Sequence, residues 1–237
     1  MKNCDDHKKS MVIFGKRPVL YTIERHCDMI ETIFVAKELD KKLFAQLKKA
    51  RKPIEVLDFK KAQALARGQN HQGMLAKIKP LLFRDNRELY ESRFVVMCAG
   101  ITDAGNLGAI VRSAYALGVD SVVFSGVSSV NLETLIRVSS GAALDMPLFL
   151  TPNALETIEL FKQKGFLTIG ADVNGEDARA FKTDAQKTLL VLGAEGEGLS
   201  DRALKKLDRK IAIAMTREFD SLNVSAAAAI LIDRIRT

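Results

Sequence analysis

The C-terminal stretch of the chain reads Lys210-Ile-Ala-Ile-Ala-Met-Thr-Arg-Glu-Phe-Asp-Ser-Leu-Asn-Val-Ser-Ala-Ala-Ala-Ala-Ile-Leu-Ile-Asp-Arg-Ile235. Isoleucine and methionine alternate with other residues over Lys210–Met215, which predicts a β-strand. The polar residues 216–220 predict a loop. The apolar spacing that follows predicts a helix over Ser221–Ile235, with Ser221 as its N-cap. The stretch therefore reads as a strand, a loop and a helix.

The start of this helix is unusually polar. Ser221, Asn223 and Ser225 alternate through its first turn, where the unpaired backbone N–H groups of a helix start are available to a ligand. The next turn consists of the four alanines 226–229, which predicts that another segment packs very close to it. We therefore expect a binding site at the start of a closely packed helix.

Upstream of this stretch, apolar strands alternate with helices from Phe94 onwards. The predicted strands are Phe94–Ala99, Ser121–Phe124, Pro147–Leu150, Leu167–Ala171, Thr188–Leu192 and Lys210–Met215. Helices are predicted over Gly105–Leu117, Asn131–Val138, Asn153–Lys164 and Ser200–Leu207, in addition to the last helix. Continuous apolar strands separated by helices predict an α/β fold with a parallel sheet covered on both faces.

The charge is concentrated at the N-terminus. Residues 1–80 contain 18 basic and 9 acidic residues, a net charge of +9, whereas residues 81–237 contain 18 and 20, a net charge of −2. We predict a basic α/β domain over residues 1–80, a linker over 81–92 and a second domain over 93–237. A basic domain favours a polyanionic partner. On charge alone, a simply solvated lysine-rich surface is an equal alternative.

The spacing of the cysteines and the distribution of apolar residues argue against several classes of protein. The three cysteines, Cys4, Cys27 and Cys98, show no CxxC spacing, so we expect reduced thiols and no metal site. The longest apolar run, Val224–Ile232, is far shorter than the ~20 residues of a membrane-spanning helix. The N-terminus has no apolar signal segment, which predicts a cytoplasmic protein without a membrane partner.

Three polar or glycine-rich loops follow predicted strands, at the edge where open α/β sheets bind ligands. The first contains Asn106 and leads into a helix that is apolar except for Arg112. Most helical arginines are solvated, but small residues on neighbouring turns leave room beside this one, so we predict that Arg112 is buried or faces a ligand. The third loop is the one that precedes the last helix.

The second loop is Gly193-Ala-Glu-Gly-Glu-Gly-Leu-Ser200. Its glycines permit close approach of a ligand to the backbone, but it matches neither GxGxxG nor GK[ST]. Glu195 and Glu197 would repel a phosphate, so a cationic or hydroxyl-rich ligand fits better. Taken alone, the loop is equally consistent with a glycine-rich turn before a helix.

Together, these motifs resemble the SpoU/TrmH family of S-adenosylmethionine-dependent RNA ribose 2′-O-methyltransferases. The resemblance rests on Asn106-Leu-Gly-Ala-Ile-Val-Arg112, Leu192-Gly-Ala-Glu-Gly-Glu-Gly-Leu199, Ile211-Ala-Ile-Ala-Met215 and Ser221-Leu-Asn-Val-Ser225. The basic N-terminal region, with His71-Gln-Gly73, resembles the ribosomal-protein-like RNA-binding domain of members that modify large-subunit rRNA. The chain departs from the family at three positions. The family's usual Asp-Pro before the motif asparagine is Asp103-Ala104-Gly105 here, and a proline that is common in the strand is Ala214. A glycine that is common after the methionine is missing after Met215.

The resemblance implies a SPOUT-like methyltransferase domain with a deep trefoil knot, and a homodimer that buries both active sites. It implies the cofactor S-adenosyl-L-methionine, with cofactor contacts at Gly193, Gly198, Ile213 and Leu222. It also implies a catalytic set, which comprises Arg112, Asn106, Glu195, Ser221 and Asn223. Guanidinium groups stay protonated in proteins, so we interpret Arg112 as a phosphate clamp and oxyanion stabiliser rather than the general base that is often proposed.

The resemblance leaves the substrate open. We expect RNA, with a guanosine of large-subunit (23S) rRNA ahead of a tRNA loop, because of the N-terminal domain. The alternative from another class is a non-enzymatic RNA-binding or ribosome-assembly protein, which would bind no cofactor. A further alternative, a nucleotide-binding protein that uses Gly193–Gly198, is disfavoured by Glu195 and Glu197.

Overall fold

The structure, a computed structural model, describes residues 10–36, 39, 41–194, 196–217 and 221–236. Its contacts divide the chain into two compact units. Unit 1 comprises Met1–Leu82 and Leu132–Leu144, and unit 2 comprises Phe83–Asn131 and Asp145–Thr237. The predicted linear division into 1–80, 81–92 and 93–237 remains a prediction, and the grouping of 132–144 with unit 1 is not foreseen by it.

Strands and helices alternate along the described part of the chain. Its strands are β1 (Met11–Phe14), β2 (Ile30–Val35), β3 (Ile54–Val56), β4 (Met74–Ile78), β5 (Phe94–Ala99), β6 (Ser121–Ser125), β7 (Leu148–Thr151), β8 (Leu167–Asp177), β9 (Thr188–Leu192) and β10 (Arg209–Ala212). Its α-helices are α1 (Lys16–Arg25), α2 (Lys41–Lys49), α3 (Phe59–Leu65), α4 (Ala104–Ala116), α5 (Leu132–Val138), α6 (Ala154–Gln163), α7 (Asp201–Lys206) and α8 (Val224–Ile235). None of these helices combines the length and the apolar character needed to cross a membrane.

Unit 1 is built on a four-stranded sheet in the order β1-β4-β2-β3. Strand β4 runs antiparallel to β1 and β2, and β3 lies parallel to β2 at the sheet edge. Helix α5 packs against β1. Its Glu133 Oε1 accepts a hydrogen bond from the Val12 backbone N–H at 3.0 Å, and its Oε2 lies 3.0 Å from Arg67 Nη2. The far segment of chain is thereby tied to the first strand.

Unit 2 is built on a six-stranded, all-parallel sheet in the order β10-β8-β9-β5-β6-β7. Every residue of β6 and β9 is buried, as a sheet covered on both faces requires. The strand order reverses next to β5, because β6 continues to one side and β9 lies on the other. All carboxyl ends meet at one edge, so the predicted parallel α/β fold is confirmed.

Two boundaries near the C-terminus differ from the prediction. Helix α8 begins at Val224 rather than Ser221, and its N-cap is Asn223, whose Oδ1 accepts from the Ser225 backbone N–H at 2.9 Å. An N-cap oxygen reaches only the N–H groups two or three residues ahead, so Ser221 is too early and the predicted cap is wrong. Strand β10 ends at Ala212 instead of Met215, because pairing with β8 stops there.

Strands β8 and β10 are tied together at their start by Asp208. Its Oδ2 accepts from the Thr168 backbone N–H at 2.9 Å and from Thr168 Oγ1 at 2.7 Å, and its Oδ1 lies 2.8 Å from Lys162 Nζ. Partial burial raises the pKa of the Asp208 carboxyl, but the hydrogen bonds from Lys162 and Thr168 outweigh it and hold the pKa below its ordinary value. The charged form is therefore favoured by folding.

We predict that Asp208→Asn lowers the free energy of unfolding at pH 7 by about 1–2 kcal/mol, because hydrogen bonds to a charged group are lost. A carboxyl whose folded pKa is lowered stabilises the protein above its unfolded pKa and loses that contribution as pH falls through the folded value. The difference from wild type should therefore shrink below about pH 4. Urea unfolding measures this, with the exposed Asp184→Asn as a control that changes little.

Candidate functional site

A cleft of about 930 Å³ opens in unit 2 beyond the carboxyl ends of β8, β9 and β10. Three segments of chain form its walls, namely the C-terminal half of β8 and the stretches at the ends of β9 and β10, and the start of α8 closes it. The segments lie within residues 171–177, 192–199 and 211–215, and the helix contributes residues within 221–231. Ligands of open α/β sheets bind at this edge, so the cleft is the candidate site.

One wall of the cleft depends on a missing side chain at Gly193. The chain folds back on itself here, and the Gly198 backbone N–H donates to the Ala194 carbonyl at 2.8 Å. A Cβ on Gly193 would overlap the Gly198 carbonyl carbon. Gly198 itself has a φ of +67°, a conformation that glycine adopts without strain. The glycines of this loop thus serve close packing of backbone on backbone.

A second close approach shapes the opposite wall. Residues 171–175 of β8 have no partner in β10, since Lys210 pairs with Gly170 and Ile211 pairs with Glu176. The unpaired residues bulge from the sheet and line the cleft. A Cβ on Gly175 would lie 2.6 Å from the backbone N of Ile211. The bulge can therefore return to the sheet only through a glycine.

The charged side chains that line the described part of the cleft are all acidic: Asp172, Asp177 and Glu197. The Arg179 guanidinium, 2.6 Å from Asp177, donates hydrogen bonds that hold the pKa of that carboxyl below its ordinary value. Asp172 Oδ1 accepts from the Asn174 backbone N–H at 2.7 Å, and this residue has no ion-pair partner within the described ranges. The cleft therefore favours a cation and disfavours a phosphate.

Asn106 and Asn223 are brought together from opposite ends of the unit. Asn223 Nδ2 donates to Asn106 Oδ1 at 2.9 Å, while Asn223 Oδ1 accepts from both the backbone N–H and the hydroxyl of Ser225. Asp103 caps α4 by accepting from the Asn106 backbone N–H at 2.7 Å. The starts of α4 and α8 are thus locked to each other.

Arg112 is exposed on α4 and is not among the residues that line the cleft. Arg112 is therefore not buried within its own chain. Its guanidinium has no hydrogen-bond or ion-pair partner in the part of the chain that the structure describes. This leaves its donors available to a ligand.

The structure gathers most of the other predicted site residues. Five of them line the cleft, namely Gly193, Gly198, Ile213, Ser221 and Leu222. Asn223 lies between Leu222 and Val224, which both line it, and Asn106 is bonded to Asn223. Glu195 lies outside the described residues. No group of three or more metal-ligating side chains occurs among those that are described.

The sequence reasoning missed the segment around Asp172. The predicted strand ended at Ala171, and only three of the loops that follow strands were considered as ligand-binding segments. The signal was present, because Asp172-Val-Asn-Gly175 follows an apolar strand and carries the Asn-Gly pair typical of a turn. Considering the segment after every strand would have found this wall of the cleft.

Comparison with known proteins gives matches over both regions of the chain. Residues 93–233 match the SpoU rRNA Methylase family. Residues 12–83 match a family described as RNA 2′-O ribose methyltransferase substrate binding. Over 234 residues the chain is 30% identical to the 23S rRNA (guanosine-2′-O-)-methyltransferase RlmB of Salmonella typhimurium, which covers 94% of this chain and 96% of that relative.

Solved structures show the same fold. The SpoU methyltransferase AviRb from Streptomyces viridochromogenes, in complex with AdoMet, aligns with a TM-score of 0.76 at 22% identity, covering 99% of this chain and 92% of that one. The TrmH/SpoU tRNA modifying enzyme of A. aeolicus aligns with a TM-score of 0.53 at 25% identity, covering 62% of this chain and 77% of that one.

We predict that Gly193→Ala disrupts the cleft, because the added methyl group cannot be accommodated beside the Gly198 backbone. Amide hydrogen exchange over residues 192–199 should accelerate at least tenfold, as expected for about 1.4 kcal/mol or more of local destabilisation. The matched control is Gly196→Ala. Gly196 has a φ of +83° and open space around its Cβ position, so this variant tests backbone strain alone. Equal effects of both variants would contradict the steric account.

Proposed function

The chain belongs to the SpoU rRNA methylase family, and from this premise we propose that it transfers a methyl group from S-adenosylmethionine to a ribose 2′-hydroxyl in RNA. The nucleotide that we propose is a guanosine of 23S rRNA, the substrate class in the name of the Salmonella relative. The observation that carries the proposal is the glycine-walled cleft beyond β8, β9 and β10, whose described lining holds carboxylates and no cationic side chain.

The residues of the cleft fit this cofactor. S-adenosylmethionine bears a sulfonium cation, an ammonium group and ribose hydroxyls but no phosphate, so carboxylates at Asp172, Asp177 and Glu197 favour it. Backbone groups that line the cleft at Gly193 and in the segment 211–215 offer hydrogen-bonding edges for an adenine, and Leu222 offers an apolar surface. A nucleoside triphosphate would meet repulsion in the same cleft.

Catalysis requires the ribose hydroxyl to be held in line with the methyl group. When bound, the cofactor would supply a methyl group on a sulfonium, whose sulfur would keep the C–S bonding electrons on transfer to the ribose oxygen. Ser221, which is exposed at the cleft, orients the ribose hydroxyl, and the proton of that ribose hydroxyl leaves to water. The bond between Asn106 and Asn223 fixes the two helix starts that frame this position.

Arg112 binds the phosphate next to the target nucleotide and stabilises the oxygen as negative charge develops on it. A guanidinium offers a rigid fork of donors that matches a phosphate and stays charged, and this one has no partner among the described residues. Hydrogen bonds directed at a developing charge are the larger part of many catalytic effects. Arg112 therefore acts as a clamp and not as the base.

The active form is a homodimer. Met215, Leu222 and Ile230 are apolar but 38%, 38% and 39% exposed in the single chain, at or beside the cleft, and apolar surface of this kind is typical of subunit contacts. Arg112 lies outside the cleft lining of its own chain, which supports a site that is completed by a second copy. Sedimentation of the purified protein as a monomer at micromolar concentration would contradict this.

The C-terminal segment forms a deep trefoil knot. The proposal is supported by the backbone contacts at Gly193 and Gly175 and by the packing of α8 against α4 and β9. Such contacts are those that a chain threaded through its own loop must make. A crystal structure in which the chain after Ile211 passes outside the loop 193–199 would overturn it.

Ribosomal RNA is favoured over tRNA because the match to a substrate-binding family covers residues 12–83, in the most basic part of the chain. The tRNA modifying enzyme of A. aeolicus aligns with only 62% of this chain. Ribosomal RNA as substrate places the enzyme in the cytoplasm. Sequencing of 2′-O-methyl sites in rRNA and tRNA from a deletion strain decides between the two, and loss of a tRNA methyl group alone would reverse the assignment.

The cofactor is tested by calorimetry with S-adenosylmethionine and with S-adenosylhomocysteine. We expect both to bind to wild type and Asp172→Asn to weaken only the positively charged methyl donor, by roughly 2- to 5-fold, as for a partly exposed charge pair. The product S-adenosylhomocysteine, which lacks the sulfonium charge and is net neutral, should be unaffected. The exposed Asp184→Asn is the control. Failure of wild type to bind either compound would favour a non-enzymatic RNA-binding protein instead.

Arg112→Lys distinguishes the clamp from the base. We expect kcat to fall roughly 10- to 100-fold with an unchanged pH profile, because lysine keeps the charge but loses the forked geometry. Single-turnover methylation of an rRNA fragment across pH 6–10 measures this, with Arg202→Lys on α7 as the control. Activity near that of wild type that rises with pH would instead make the side chain a base.

A further inference from the structure

Unit 1 contains a phenylalanine whose side chain is not buried in the hydrophobic core. Phe59, the first residue of α3, is 67% exposed. Burial of a phenylalanine side chain contributes about 1.5–3 kcal/mol, and this contribution is largely forgone here. Helix α3 is anchored instead by the buried Ala62 and by Asp58, which caps it by accepting from the Lys61 backbone N–H at 2.8 Å. The exposed ring is therefore a candidate binding surface.

The ring lies beside a turn that is rich in hydrogen-bonding side chains. Phe59 packs against the buried His71, with ring centroids 5.9 Å apart. On either side of His71, Asn70 and Gln72 are exposed. Their side-chain oxygens accept from the backbone N–H groups of Gln72 and Lys16, at 3.0 Å and 2.8 Å. These bonds orient both amides, whose NH₂ groups have no partner among the described residues.

The surroundings are positively charged. Residues 51–67 contain five basic and two acidic side chains, a net charge of +3. One of the two carboxylates, Asp58, already has partners, since it caps α3 and lies 3.5 Å from Lys61 Nζ. The neighbouring Lys60 is exposed and has no ion-pair partner in the described part of the chain. An aromatic ring next to an unpaired lysine and amide donors is the composition of surfaces that bind unpaired nucleotides.

We propose that Phe59 stacks on an unpaired base of the RNA substrate. The amides of Asn70 and Gln72 donate to the edge of that base or its neighbour, and Lys60 binds an adjoining phosphate. This inference rests on the proposed RNA methyltransferase function and assigns its RNA recognition to one side of unit 1. It specifies a loop or bulge rather than a duplex, because bases inside an RNA helix present no free face to a side chain.

A second exposed aromatic residue of unit 1 provides the matched comparison. Phe44 on α2 is 37% exposed, and Lys48 Nζ lies 4.9 Å from its ring centroid, over one face. That face is already occupied, and the ring has less free surface than Phe59. Phe44→Ala therefore removes an exposed aromatic side chain of the same unit without removing the proposed platform.

The test measures RNA binding by the full-length protein without cofactor, using fluorescence anisotropy. The probes are a 23S rRNA hairpin with an unpaired loop and a fully paired RNA of equal length. We expect Phe59→Ala to weaken hairpin binding roughly 5- to 150-fold, the range for loss of one stacked base. Phe59→Tyr should retain affinity, Phe59→Leu should not, and binding of the paired RNA should change little. Thermal unfolding verifies that each variant is folded.

Equal hairpin affinities of Phe59→Ala, Phe44→Ala and wild type would overturn the proposal. Full retention by Phe59→Leu would reduce the contact to apolar packing and would also overturn it. If Phe59→Ala leaves RNA binding intact but changes the sedimentation coefficient, the surface contacts protein instead, together with the 84% exposed Val56 three residues earlier in the chain. Because no cofactor is present, a failure of the proposed methyl transfer leaves these outcomes unaffected.

Discussion

Backbone-on-backbone contact at two glycines is the constraint on which the cleft depends. Gly193 faces the Gly198 carbonyl, and Gly175 faces the backbone of Ile211, in each case with no room for a Cβ. These contacts allow three segments to converge at one sheet edge, where side chains would otherwise hold them apart. The cleft between them, the bulge in β8 and the early end of β10 all follow from that convergence.

Electrostatics divides the molecule between two kinds of ligand. Residues 1–80 carry a net charge of +9, which suits a polyanion, whereas the described lining of the cleft carries only carboxylates. An RNA chain is therefore attracted to the molecule and kept out of the part of the site that suits a cationic cofactor. Arg112, exposed and unpaired among the described residues, lies outside that lining and remains available to a phosphate.

Many strands and helix starts could be predicted from the sequence, because apolar runs and helix caps depend on residues that are neighbours in the chain. The apolar run Thr188–Leu192 was predicted with the bounds that the structure gives, and Asn153 and Ser200 cap the helices that were predicted to start at them. The cap of α8 was misplaced by two residues. Ser221 and Asn223 are both good caps by type, and the choice falls to Asn223 because its Nδ2 also reaches Asn106, 117 residues earlier.

The alternation of strands and helices, the basic first region and the motifs that carry the family resemblance can be predicted from the sequence, since each depends on residues that are close together in the chain. Which loops meet, the packing of 132–144 with unit 1 and the bulge of β8 at 171–175 become known only from the three-dimensional structure. It also shows that Arg112 is exposed and that Phe59 lies against His71. These outcomes depend on contacts between residues far apart in the chain, and periodicity carries no record of such contacts.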